Sequence, residues 1–486
     1  MTRNKKYKSF LLDEIVAIVI LIIFSLFSIA EYIVDGRECN GVAIFEQFRS
    51  VSYVKWIVPT ICVCPALHMF RQESNSGICK LLLYTISGGF TAAMSLFMIY
   101  LFTTNYFPCN YEYYNVCNYC IERMASKNNI LYVIGIVYLQ FLLGCMCSSC
   151  ALLFSKISGK FNAAVLLPAL IIRLFNVMVG LTILPNVFNL GMLSDGGLYT
   201  YTRSITVGTA VLGGLTLANF FILNILIQKK IDVFPHSKQG VSSMSCVVFV
   251  IIFIALFMCD IFRAVILNND PTSSFNGLEM YIAVLNDPRC TLIFGLCSLY
   301  LVSEDLCSTN VRMCSLLIKS ALKIVGMLLT ILLMTFVLFR NYGMIRWTWT
   351  EEFINSTIAL PMQRINIDYS RHTIAEVFVL SFGLKIGALY FVTVIYFYFY
   401  KEWFKHIHIA LIFSMMTLDI TIANCLNNKF YIISIMSWSR YQVAAETNGL
   451  MPAPVIMLAI MLAGEVLMSF RLVSRRDVSI QNAVNH

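Results

Sequence analysis

Charged side chains are scarce in this sequence. Asp, Glu, Lys and Arg make up 13% of its 486 residues, against roughly 25% in soluble domains. With 59% hydrophobic residues and a mean hydropathy of +0.76, that deficit excludes an ordinary soluble protein. Strict apolar–polar alternation is missing from the long apolar runs, which excludes a membrane β-barrel. The six histidines never form the His-Glu-x-x-His pattern of a zinc peptidase, and Glu351-Glu352 has no suitably spaced Arg or His. A phosphate-binding loop is missing too. Ser158-Gly159-Lys160-Phe161 contains a Gly-Lys pair, but position 154 is Phe and no hydroxyl follows the lysine. Any use of ATP therefore requires a second polypeptide. A membrane enzyme acting on lipid would need His, Asp or Glu clustered at one membrane face, and the sequence offers no such cluster.

What the chain has instead is apolar length. About twelve stretches approach the ~20 residues that cross a bilayer as helix. In residues 1–243 they are Ile15–Val34, Tyr53–Phe70, Leu81–Phe102, Ile130–Phe154, Ala163–Leu184 and Ile205–Ile227. In residues 244–486 they are Cys246–Leu267, Ala283–Val302, Leu316–Phe339, Ala375–Phe397, Ile407–Cys425 and Met451–Phe470. The two halves repeat one layout of spans and loops. In each, a short charged loop after the second span holds a glutamate, Glu73 or Glu304, and the second loop is longer by about one helical turn. The expectation is an all-α integral membrane protein of two pseudo-symmetric six-helix units, 1–243 and 244–486. An even number of spans per unit sets both units parallel, with the pathway at their seam.

Basic residues orient the spans. With the N-terminus in the cytoplasm, the short inner segments hold more than half of the 35 Lys and Arg, so both termini are expected inside, at a plasma membrane. The formal charge of +9 is then explained by anionic lipid headgroups, with no need for nucleic acid. Most of the 17 cysteines fall inside spans, where Cys behaves as a small apolar residue. Cys145, Cys147 and Cys150 are read as packing residues, since no His or carboxylate joins them. Cys39, Cys109, Cys117 and Cys120 fall on expected outer loops, the side on which disulfides persist.

The loop Phe70-Arg71-Gln72-Glu73-Ser74-Asn75-Ser76-Gly77-Ile78-Cys79-Lys80 resembles the permeases of type-two ATP-binding-cassette exporters. Their Phe-x-x-Glu-x-x-x-Gly-like stretch forms a short helix that docks on the ATPase, and Phe70, Glu73 and Gly77 match its spacing. The second loop keeps its acids, Glu304 and Asp305, but lacks the glycine. The resemblance implies a cytoplasmic ATPase dimer carrying ATP and magnesium, no cofactor in this chain, and docking through Phe70, Arg71, Glu73, Gly77, Glu304, Asp305 and Arg312. Arg71 and Arg312 are cations suited to acidic groups of that partner. In the family, the segment between the fifth and sixth spans of each unit dips into the membrane as an outer gate. Asn186 and Phe188, and then Asn428 and Phe430, stand in those places. An interfacial segment with an aromatic belt explains them equally well.

Arg173, Lys385 and Asp419 lie within spans, where ionisable groups are costly and usually face a partner or a wet cavity. Two arrangements satisfy them. Arg173 and Asp419 pair across the seam, or each finds a local partner such as Asn176 or Asn424. Trp347 and Trp349 are read as anchors in the outer headgroup layer. The expected function is a non-enzymatic permease exporting an amphipathic peptide or lipid-like cargo, such as an antimicrobial peptide. Its rival is an ion-gradient-driven transporter in which the three buried charges couple ion to substrate.

Overall fold

The computed structural model describes residues 10–23, 45, 52–72, 77–106, 129–158, 161–194, 201–229, 247–259, 275–303, 313–338, 347–350, 353 and 373–399, with isolated positions between 412 and 470. The described residues are helical or in turns, with no strand among them. The chain divides into two compact units, Met1–Phe249 and Val250–His486.

In the first unit, α1 covers residues 10–23. The stretch expected to be one span, Tyr53–Phe70, is two short helices, α2 (Ser52–Ile61) and α3 (Cys64–Gln72), joined by a turn. The cause is local: Pro65 has no N–H to bond back to Ile61, which loosens the backbone ladder at Cys62–Val63, although the Cys62 N–H still bonds to the Val58 carbonyl at 3.1 Å and Trp56–Phe70 continues as one apolar helix. Proline is tolerated once α3 restarts, because first-turn N–H groups have no intrahelical acceptor.

Two long helices, α4 (Ile78–Tyr106) and α5 (Asn129–Ser158), form the centre of this unit. Glycine lets them touch backbone to backbone. A Cβ on Gly89 would lie 2.8 Å from the Phe141 carbonyl oxygen, and one on Gly144 would collide with the Gly88 carbonyl. Small residues at such a crossing permit the close packing that drives helix association in lipid. Next, α6 (Phe161–Gly180) ends short of the expected Leu184. The Thr182 N–H bonds to the Val179 carbonyl at 3.0 Å and the Ile183 N–H to the Met178 carbonyl at 2.9 Å. With Thr182 at φ 59°, this is the left-handed cap of a Schellman motif. A short helix, α7 (Leu190–Ser194), follows. Then α8 (Tyr201–Gly208), a π-helical stretch (Thr209–Gly213) and α9 (Gly214–Gln228) make one long span.

The helix α10 (Val247–Cys259) leads into the second unit. There, the expected span Ala283–Val302 is broken: α11 (Gly277–Asn286) and α12 (Pro288–Ser303) meet at 79°. Asp287 takes extended backbone angles, φ −73° and ψ 126°, as the residue before a proline must when the helical region is blocked. Two straight helices, α13 (Met313–Leu338) and α14 (Ile374–Phe399), pack on both pieces. Tyr281, fully buried, donates from α11 to the Leu328 carbonyl of α13 at 3.0 Å. The Lys323 ammonium of α13 reaches the Leu301 carbonyl at 2.9 Å, supplying a donor to the last turn of α12.

Five described helices are long and apolar enough to cross a membrane: Ile78–Asn105, Leu131–Ser158, Thr202–Gln228, Ser315–Val337 and Ile374–Phe397. The bent pair makes six if it counts as one span. Of the expected Ile15–Val34 span, residues 15–23 are described; Ile407–Cys425 and Met451–Phe470 lie outside the described residues apart from isolated positions. The Gly88–Gly144 crossing yields a stability prediction. Gly144→Leu should cost about 1–3 kcal/mol by overpacking, while Gly326→Ala, whose added methyl meets nothing within 4 Å, should gain about 0.5–1 kcal/mol. Thermal unfolding of both variants in lipid nanodiscs checks the sign and the order.

Candidate functional site

The break between α11 and α12 gathers several buried polar groups among the described residues of the second unit. Interrupting a helix in apolar surroundings strands backbone donors and acceptors, and each must find a partner. Asp287 accepts the Cys290 N–H on Oδ1 at 3.2 Å, capping α12. Its carbonyl accepts the Thr291 hydroxyl at 3.0 Å. Lys385, near the middle of α14, donates from Nζ to that same hydroxyl oxygen at 2.5 Å. One turn earlier on the same face of α14, Ser381 lies 3.5 Å from the Asn286 amide nitrogen, which also donates to the Ile282 carbonyl at 2.8 Å. Asn286, Thr291, Ser381 and Lys385 are fully buried. Ser381 and Lys385, four residues apart, thus reach the two sides of the break.

A second buried acid stands at the start of α11. Asn276 and Glu279 form a reciprocal capping box: Asn276 Oδ1 accepts the Glu279 N–H at 3.0 Å, and Glu279 Oε2 accepts the Asn276 N–H at 2.9 Å. The Thr350 N–H also donates to Glu279, at 2.6 Å. Trp349 stacks on Phe353 at 5.0 Å, and Phe353 meets Phe275 edge-on at 5.1 Å. Trp349, partly buried, packs against the core cluster of this unit. Trp347 is exposed.

In the first unit, Arg173 is buried on α6 with its guanidinium 5.1 Å from the centroid of the Trp56 ring of α2. A cation over an indole face gains electrostatic attraction that grows on desolvation. Asn176, one expected local partner, instead accepts the Gly191 N–H at 3.4 Å. Asp419 lies outside the described residues. The segment after α6 doubles back: Gly191 returns to Asn176, and the Ser194 carbonyl accepts the Gln140 side chain of α5 at 3.4 Å. Within it Asn186 is exposed, while Phe188 is half-buried with its ring centroid 6.2 Å from that of Phe175. Asn428 and Phe430 lie outside the described residues.

Of the expected docking residues, Phe70 is buried near the end of α3, and Arg71 continues that helix. Gly77 opens α4; it is exposed, with its carbonyl accepting the Lys80 and Leu81 N–H groups at 3.0 and 3.2 Å. Glu73, Glu304, Asp305 and Arg312 lie outside the described residues, as do Cys39, Cys109, Cys117 and Cys120. A contact that sequence reading missed joins α1 to α3: Asp13 Oδ2 bonds to His68 Nδ1, with both groups largely buried. Glu14 lies beside Ser87 of α4. Among the described residues no group of His, Cys, Asp and Glu is arranged to hold a metal.

No protein-family model matches this chain, and neither does any curated protein or solved structure.

Thr291 makes the break testable, because its hydroxyl both donates to Asp287 and accepts from Lys385. Thr291→Val should cost about 1–3 kcal/mol by leaving a buried ammonium short of an acceptor. Thr393→Val, which removes only a bond back to the Leu389 carbonyl, should cost less. The difference between their unfolding midpoints in detergent checks this.

Proposed function

We propose that the protein is the membrane permease of a type-two ATP-binding-cassette exporter. In this reading it lies in the plasma membrane with about twelve spans in two parallel six-helix units, both termini in the cytoplasm. A separate cytoplasmic ATPase dimer, carrying ATP and magnesium, supplies the energy, and the cargo is amphipathic, peptide or lipid-like. The observation that supports the reading is where the resembling stretch falls: Phe70 lies near the end of α3 and Gly77 just before α4, so the motif sits between the second and third helical segments, as in the family. The doubled-back segment from Leu181 to Ser194 supports it further, since a gate needs irregular backbone held against protein.

A second reading, an ion-gradient-driven transporter, is favoured by Lys385 at the α11–α12 break. Transporters of that kind bind ligands at discontinuous helices near the membrane midplane, and uptake driven by a pH gradient without ATP would select it.

Affinity purification of the full chain from its native host tests the first reading. A stoichiometric ATPase should accompany it, and Glu73→Arg should weaken that association by about tenfold through like-charge contact. Recovery of the chain without any ATPase would refute the reading.

A further inference from the structure

The long span Thr202–Gln228 is not one regular helix. Between α8 and α9, Thr209–Gly213 winds as π-helix, so the chain carries one residue more than a continuous α-helix would need. Single π-turns inside α-helices are rare and frequently mark functional sites. Gly213 and Gly214 stand where this one ends. A Cβ on either would meet nothing within 4 Å, so no neighbour demands a small residue there. Glycine is the poorest helix former after proline; what two in a row supply is a backbone free to change its winding. Threonine stands at each edge. Thr209 Oγ1 donates to the Ile205 carbonyl and Thr216 Oγ1 to the Leu212 carbonyl, both at 2.7 Å. Hydroxyls placed this way keep backbone carbonyls bonded where the helical ladder is interrupted.

The two sides of the π-turn are held to α5 differently. On the α9 side, the Asn219 amide donates to the Ser149 hydroxyl oxygen at 3.3 Å, and Ser149 is fully buried. On the α8 side, the Tyr138 hydroxyl lies 3.0 Å from Thr209 Oγ1. The Thr209 proton goes to Ile205, so Tyr138 is the donor. Tyr138 and Thr209 are both exposed. Just before the turn, α8 comes close to two neighbours. A Cβ on Gly208 would stand 2.5 Å from Leu139 Cδ2 of α5 and 3.9 Å from Leu193 Cδ2 of α7.

We propose that the π-turn is a register switch. When it rewinds as α-helix, α9 stays on α5 and α8 turns by one residue, about 100° around its axis and about 1.5 Å along it. The Tyr138–Thr209 bond is the contact given up. Val207 or Thr209, both β-branched, then comes to the place of Gly208, where only a hydrogen fits. Leu193 must yield, and the doubled-back segment moves with α8. The motion stands on the winding and its anchors; its bearing on transport rests on the gate reading above.

The test uses the full chain in detergent. Trifluoromethyl-phenylalanine is placed, one position at a time, at Met192, Thr206 and Leu217, all exposed. Fluorine relaxation dispersion then reads motion in the microsecond-to-millisecond range, where helix register shifts fall. Labels at 192 and 206 should exchange at one common rate, while the label at 217 stays flat. Tyr138→Phe should raise the population of the second state about fivefold, the size expected for loss of one neutral hydrogen bond. Deleting Ala210 removes the extra residue and leaves both flanks in place. Exchange at 206 should then vanish while the signal at 217 keeps its native position. A deletion variant that loses the native 217 signal has not folded, and Tyr138→Phe then decides alone. Flat profiles at 206 in the native chain and in Tyr138→Phe alike, equal exchange at 206 and 217, or exchange that persists in the folded deletion variant would each overturn the switch. Exchange at 206 with none at 192 would overturn its link to the gate.

Discussion

Lipid offers no hydrogen bonds, and this constraint governs where the chain bends. Wherever a helix is interrupted, the freed backbone groups must be met by protein. At the α11–α12 break Asp287 caps α12 and Asn286 bonds back to the Ile282 carbonyl, while Lys385 and Ser381 bond the side chains of Thr291 and Asn286. After α6, Thr182 accepts a left-handed conformation so that the end carbonyls are bonded. Asn176 and Gln140 then receive the returning segment. Both of these stretches therefore meet polar side chains of other helices, Ser381 and Lys385 of α14 and Gln140 of α5. The same residues look costly when seen as isolated polar positions in apolar runs.

The straight helices answer to a different requirement. Apolar side chains gain little by leaving lipid for protein, so close packing and small residues hold such helices together. Gly88, Gly89 and Gly144 bring α4 and α5 into backbone contact, which gives the first unit a stiff centre. Around it pack α2 and α3, which meet at the turn Cys62–Val63.

Composition and apolar run length were enough to place the straight helices. Leu81–Phe102, Ile130–Phe154, Leu316–Phe339 and Ala375–Phe397 each fall on a long helix within a few residues at either end, because such a run has one solution in lipid. The α11–α12 break was also written locally, at Asp287-Pro288, but averaging hydropathy over some twenty residues hides a single proline, and Pro59 and Pro168 lie inside helices without ending them. Asn276-x-x-Glu279 is a readable capping box as well. Tertiary partners are another matter. Nothing in the order of residues joins Asp13 to His68, Arg173 to Trp56 or Lys385 to Thr291, since those contacts depend on how helices pack in three dimensions.

A parallel pair of units requires the Glu73 and Glu304 loops to share one side of the membrane. Short epitope tags inserted after Ser74 and after Ser308, probed in right-side-out and inverted vesicles, measure this directly. Antibody reaching both tags only in inverted vesicles is the predicted result. One tag on each face would contradict the account, because a single ATPase dimer could not then engage both units.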